Sequence, residues 1–160
     1  MSESIEELAE TIHKMWLESG IRRRRFRRPY RRLRAIDRED NRAAARRIPR
    51  ILSLVGLGIV KKNSAKQTVS RAEATKFLTA KARIERLAEA EHDGWMEHRL
   101  ANGWRYRKDR DDKKNFHNCL IPYADLPRKE KDKDRRKVAS FPRIIEEADY
   151  RLIWLRPFNA

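Results

Sequence analysis

With one cysteine, five glycines and no long apolar run in 160 residues, several kinds of chemistry have little material. Cys119 has no partner for an internal disulfide, and as a nucleophile it would need a paired base that sequence does not place. No phosphate-cradling glycine loop occurs. No stretch approaches the roughly 20 apolar residues of a membrane span. The opening segment, Met1-Ser2-Glu3-Ser4-Ile5-Glu6-Glu7, is acidic and lacks the apolar centre of a secretory signal. A soluble, cytoplasmic protein without a membrane partner is therefore expected. His92, His98, His117 and Cys119 match no zinc-ligand spacing, so neither a metal nor another cofactor is expected.

Positive charge is abundant. Forty Lys and Arg against 24 Asp and Glu give a net +16, which favours an anionic partner. Apolar residues make up 39%, with four Trp and five Phe, more than a disordered basic tail carries. A folded chain follows.

Ser4 and Glu7 stand at capping-box spacing, and Ile5, Leu8, Ala9, Ile12, Met15 and Trp16 recur at helical intervals up to Gly20. A second helix is predicted from Asp37 to Arg47, and a third, short one from Pro49 to Val55, closed by Gly56. Leu57, Ile59 and Val60 form either a brief strand or a packed extended end. Residues 61–69 read as a connector. Ser70 and Glu73 repeat the capping spacing before one long helix, 71 to about 100, stopped by Asn102-Gly103. After an irregular stretch, a helix is predicted from Pro127 through Lys137 or beyond. A short helix follows from Pro142 to Ala148, and then a closing strand over Tyr150 to Trp154.

The chain also matches itself. Leu8-Ala9-Glu10, His13 and Trp16 stand 79 residues before Leu87-Ala88-Glu89, His92 and Trp95. Tyr30, Leu33, Arg42, Pro49, Arg50 and Ile51 stand 93 residues before Tyr123, Leu126, Arg135, Pro142, Arg143 and Ile144. The difference of 14 residues falls between the two matched blocks, where the second copy carries an insertion spanning Gly103 to Cys119. Ordered matches of this kind point to one supersecondary unit used twice. The predicted fold class is mainly α: two pseudo-twofold-related helical repeats, 1–60 and 70–160, each ending in a short extended segment.

Leu87-Ala88-Glu89, His92, Trp95, Gly103-Trp104, Tyr106, Pro122-Tyr123, Leu126-Pro127, Glu130-Lys131 and Arg135 together resemble the RyR domain, the small repeat of ryanodine receptors and of stand-alone bacterial and phage proteins. The resemblance covers about 84 to 155 well, and 4 to 60 only as a degenerate copy without a Gly-Trp step. It implies tandem helical copies around a pseudo-twofold axis and a ligand-sensing role toward nucleotide-derived molecules.

The candidate site joins His92, Trp95 and Arg99 on one side of the long helix to Trp104, Tyr106 and Tyr123 as ring partners for a base. Lys131 and Arg135 supply the phosphate end. Packing of the same aromatics into a small core is the competing account. The leading expectation is a non-enzymatic sensor or sequestering protein for a nucleotide-derived or other anionic aromatic ligand. The alternative is a nucleic-acid-binding protein using Arg22, Arg23, Arg24, Arg25, Arg27 and Arg28, with Phe26 and Tyr30 interleaved. A third is an assembly module meeting an acidic protein, and homo-oligomerisation is compatible with each.

Overall fold

The computed structural model describes residues 2–20 and 26–155, and the fold is mainly helical. The chain divides into two compact units, Met1–Ala74 with Phe141–Ala160, and Thr75–Ser140.

In the first unit, α1 (Ser2–Glu18) packs against α2 (Ala35–Ser53). The helical spacing of Leu8, Ala9 and Ile12 puts all three on the buried side of α1, and Ile48, Ile51 and Leu52 form the buried side of α2. Between them, Tyr30–Arg32 makes one 3-10 turn that Pro29 opens with fixed φ −54° and ψ 148°. After α2, Gly56 at φ +79° turns the chain into β1 (Leu57–Lys61). This strand pairs antiparallel with β4 (Tyr150–Trp154), with Ile59 opposite Leu152 at the centre of the register. Tyr150 donates its hydroxyl to Glu7, and Arg143 holds Glu18 and Glu147.

In the second unit, α4 (Lys81–Ala101) is the long element. Gly103 at φ +85° ends its last turn. Two-residue strands, β2 (Arg105–Tyr106) and β3 (Phe116–His117), pair in parallel and frame the insertion. Tyr123–Asp125 forms a 3-10 turn opened by Pro122, and α5 (Arg128–Glu147) begins three residues later. Ala88, Cys119, Tyr123 and Leu126 make a buried cluster, with Trp95 and Ile121 packed against it.

Three predicted boundaries are corrected. Asp37 to Arg47 and Pro49 to Val55 are one helix, α2, with Pro49 inside it. The predicted helices from Pro127 and from Pro142 are likewise one, α5, with Pro142 inside. An interior proline removes one helical hydrogen bond and costs about 3 kcal/mol, but Ile48, Ile51 and Leu52 on one helix, and Phe141, Ile144 and Ile145 on the other, bury an apolar side across it. The single helix predicted over 71 to 100 is instead two, α3 (Arg71–Leu78) and α4. Thr79 turns its hydroxyl back to the Thr75 carbonyl, and Ala80 is extended at ψ 135°. Arg83 secures the break by donating to the Phe77 carbonyl at 2.6 Å while its guanidinium lies 3.7 Å over the Phe77 ring. Ser70 caps α3 through the Glu73 N–H as expected, and of the two readings of Leu57, Ile59 and Val60 the strand is the one present, whereas Ser4 lies inside α1 and not at its start.

Candidate functional site

Helical spacing brings His92, Trp95 and Arg99 to one side of α4, and the insertion folds back over them. His92 is buried and donates from Nε2 to the Ile121 carbonyl at 2.7 Å, while Nδ1 faces Asp134 at 3.7 Å. Its ring stacks on Trp95, with centroids 5.6 Å apart, and leans on Tyr123 at 6.2 Å. Trp95 in turn meets the edge of His117 at 4.9 Å, and Trp104 lies 6.1 Å from the same imidazole. The Arg99 guanidinium sits 4.8 Å from the Trp104 ring centre and 5.9 Å from that of Trp95. His92, Trp95, Arg99, Trp104 and Tyr123 are thus brought together. The rings fill one another's faces, so these contacts hold the small unit together. Tyr106 is 53% exposed and stands outside the cluster.

His117 is the member that sequence reasoning missed as an aromatic partner. Its Nδ1 accepts the Cys119 backbone N–H at 3.0 Å, so the proton of the neutral ring sits on Nε2. Burial, reinforced by the Arg110 and Arg99 charges, pushes its pKa down to about 4. Burial also raises the Cys119 thiol to about 11, so it is a packing group and not a thiolate at neutral pH.

Tyr123 turns its hydroxyl away from the rings toward Glu85, 3.1 Å away. Arg135 donates to the other oxygen of that carboxylate and to Asp132. The Arg135 hydrogen bond, with the Tyr123 hydroxyl behind it, holds Glu85 below the usual carboxylate range. Burial and Glu85 together raise the Tyr123 phenol to about 12.

The same arrangement occurs in the first unit. Tyr30 donates to Glu6 at 3.1 Å, Arg42 donates to the same carboxylate, and His13 Nε2 donates to the Arg28 carbonyl at 2.6 Å. These partners stand at the offsets of 79 and 93 seen in the sequence. Glu6 and Glu85 were not singled out there, although the offset of 79 relates them and would have found them.

Lys131 and Arg135 line a groove of about 600 Å³ with Lys81, Arg128, Glu85, Thr79 and Ile84. Lys81 is the first residue of α4 and Arg128 the first of α5, so the groove lies at the start of two helices. No side chain caps α4. Four cations and one carboxylate line the groove, and the N-terminal end of α4 adds to the same sign. This is an arrangement for an anion of phosphate size or larger. Sequence reasoning placed Lys131 and Arg135 but not Lys81 or Arg128, because a lone basic residue at a helix start is common among 40 others. Lys131 also places its ammonium 5.3 Å from the Tyr123 ring centre, so one residue touches both the groove and the aromatic cluster.

Of the six arginines in the alternative account, Arg22, Arg23, Arg24 and Arg25 lie outside the described residues, and Arg27 and Arg28 are exposed. Tyr30 is 5% exposed. Among the described residues, no group of three or more His, Cys, Asp or Glu side chains could hold a metal ion, and no helix is long and apolar enough to cross a membrane. Residues 75–153 match the family model of the RyR domain, a span that runs from α3 into β4.

Proposed function

We propose that the protein is a non-enzymatic binding module built from two RyR-like repeats, which senses or sequesters an anionic small molecule, a nucleotide derivative being the leading class. The observation that carries this is the groove lined by Lys81, Arg128, Lys131 and Arg135, where four cations stand against Glu85 in the lining and Asp132 behind Arg135. The ligand's phosphate would lie among Lys81, Arg128 and Lys131 beside the Arg135–Glu85 pair, and Lys131 would bridge from the phosphate toward Tyr123. The aromatic cluster is the rigid support behind that contact, with Trp95 and Trp104 setting where α4 and the insertion lie. A cytoplasmic protein of the stand-alone bacterial or phage type suits such a role.

The tandem arrangement is supported by the matched networks around Glu6 and Glu85, and by the β1 and β4 register. Ile59 and Leu152, which face each other at its centre, are related by the offset of 93, the pairing a pseudo-twofold axis would produce. The first repeat is the degenerate one: its Trp16 is 48% exposed where Trp95 is packed.

The test is thermal unfolding against a panel of linear and cyclic nucleotides. A ligand at 100 times its Kd stabilises the native state by about 2.7 kcal/mol, a shift of several degrees. Arg128→Gln with Lys131→Gln should remove that shift without changing the ligand-free melting curve. A panel that leaves the curve unmoved, or a shift that survives the double substitution, would overturn the proposal.

A further inference from the structure

No arginine of the first unit lines this groove. Residues 26–50 hold ten arginines and three carboxylates, a net +7 in 25 residues. Along α2, Arg38, Arg42, Arg46 and Arg50 recur every four residues, so their side chains follow one another about 6 Å apart along the helix. Arg31 and Arg32 extend the row from the 3-10 turn, and Arg38 ties that turn to the helix by donating to the Arg31 and Leu33 carbonyls at 3.0 Å each. Arg31, Arg32, Arg46 and Arg50 are exposed. Glu39 pairs with Arg42 and Arg46, and Glu6 with Arg42, which thins the positive charge without cancelling it.

We propose that this ridge binds the phosphate backbone of a nucleic-acid duplex without reading its sequence. The row from Arg38 to Arg50 spans about 18 Å of helix, comparable with the five steps between six successive phosphates of one strand at about 3.4 Å each along the duplex axis. A single-strand site would need exposed rings on which bases stack. Here Tyr30 is buried with its hydroxyl on Glu6, and Phe26 is half-buried. Readout of base edges would need free amides or guanidinium forks reaching into a groove. Asn41, the one amide on α2, donates to the Asp37 carbonyl at 3.0 Å. What remains is a row of point contacts to phosphate.

Fluorescence anisotropy with a labelled 20-base-pair duplex, titrated from 50 to 300 mM salt, tests this on the full chain. Each arginine that neutralises a phosphate contributes about −0.9 to the slope of log K against log salt. The triple substitution Arg32→Gln, Arg46→Gln and Arg50→Gln should flatten the slope by 2 to 3 and weaken binding at 100 mM salt at least tenfold, as roughly follows from the loss of two or three such contacts. The same three positions changed to Lys should keep the slope. Lys61→Gln with Lys62→Gln is the charge control, because those lysines line a groove with Glu3, Glu7, Glu10, Glu147 and Asp149. The control should leave the slope unaltered, and two duplexes of unrelated sequence should bind alike. The proposal is overturned if the control flattens the slope as much as the arginine triple, if a single strand of equal length binds more tightly than the duplex, or if no salt-dependent binding occurs.

Discussion

The His117 imidazole offers a quantitative handle on the aromatic cluster. Its pKa is about 4 in the folded protein, against about 6.5 in an unfolded chain. Between those two values the unfolded chain binds the extra proton and the folded one does not. Acid therefore favours unfolding: stability is full above pH 6.5, falls as the pH drops, and stops falling near pH 4. A depression from 6.5 to 4 corresponds to about 2 kcal/mol lost by pH 5 and about 3 kcal/mol by pH 4. His117→Gln preserves an acceptor for the Cys119 N–H, and it removes the titration. Urea unfolding followed by tryptophan fluorescence at pH 7.5, 6, 5 and 4 should then show a gap that changes with pH. The wild-type chain loses about 2 kcal/mol more than the variant by pH 5. Carboxylates such as Glu6, Glu39 and Glu85, all held below their usual range by arginine hydrogen bonds, titrate in both proteins and cancel in the difference. Parallel pH profiles would refute the reasoning, because they would mean that the imidazole is hydrated in the folded state.

Trp95→Ala should cost about 3 kcal/mol in urea unfolding, since the ring packs on His92, His117 and the Ala88 cluster, while Trp16→Ala, at its counterpart 79 residues earlier, should cost less than about 1 kcal/mol. A double-mutant cycle between Glu85 and Arg135 should return a coupling below about 1 kcal/mol, because the side chains are 45% and 28% exposed. The cycle between Glu6 and Arg42, 46% and 31% exposed, should agree with it within about 0.5 kcal/mol. Gly103→Ala should lower stability by about 1 kcal/mol through its left-handed backbone alone, as nothing lies within 4 Å of the added carbon. Gly103→Asn should recover part of that loss.

Much of the fold was legible because it rests on local patterns. The capping serine at 70, the helical spacing of Leu8, Ala9 and Ile12, and the short strand after Gly56 each depend on residues within a few positions of one another. The prolines misled for the opposite reason. Pro49 and Pro142 do break local hydrogen bonding, and only apolar side chains on both sides of each, buried by contacts distant in sequence, keep the helix running through. The interruption at Thr79 and Ala80 carried no glycine or proline, and its stabilising partner, the Arg83 guanidinium on Phe77, is recognisable only in three dimensions.

The candidate site divides along the same line. Order and spacing in the sequence gathered His92, Trp95, Trp104 and Tyr123, yet they could not say whether the rings face a ligand or one another. That depends on His117, which closes the gap between the two tryptophans from the far side of the insertion. Basic residues present the reverse problem. With 40 of them, charge alone singles out none, and Lys81 and Arg128 gain meaning only because two helices begin at the same groove. Conversely, Arg135 and Arg42 are equally matched in sequence and equally tied to a carboxylate and a tyrosine, so that network belongs to the scaffold. Binding specificity must then come from what differs: the insertion that covers Trp95 but has no counterpart over Trp16, and the residues at the α4 and α5 starts. At the offset of 93, Lys131 and Arg128 correspond to Arg38 and Ala35, and at 79, Lys81 corresponds to Ser2, so two of the groove's four cations have no basic counterpart in the first unit.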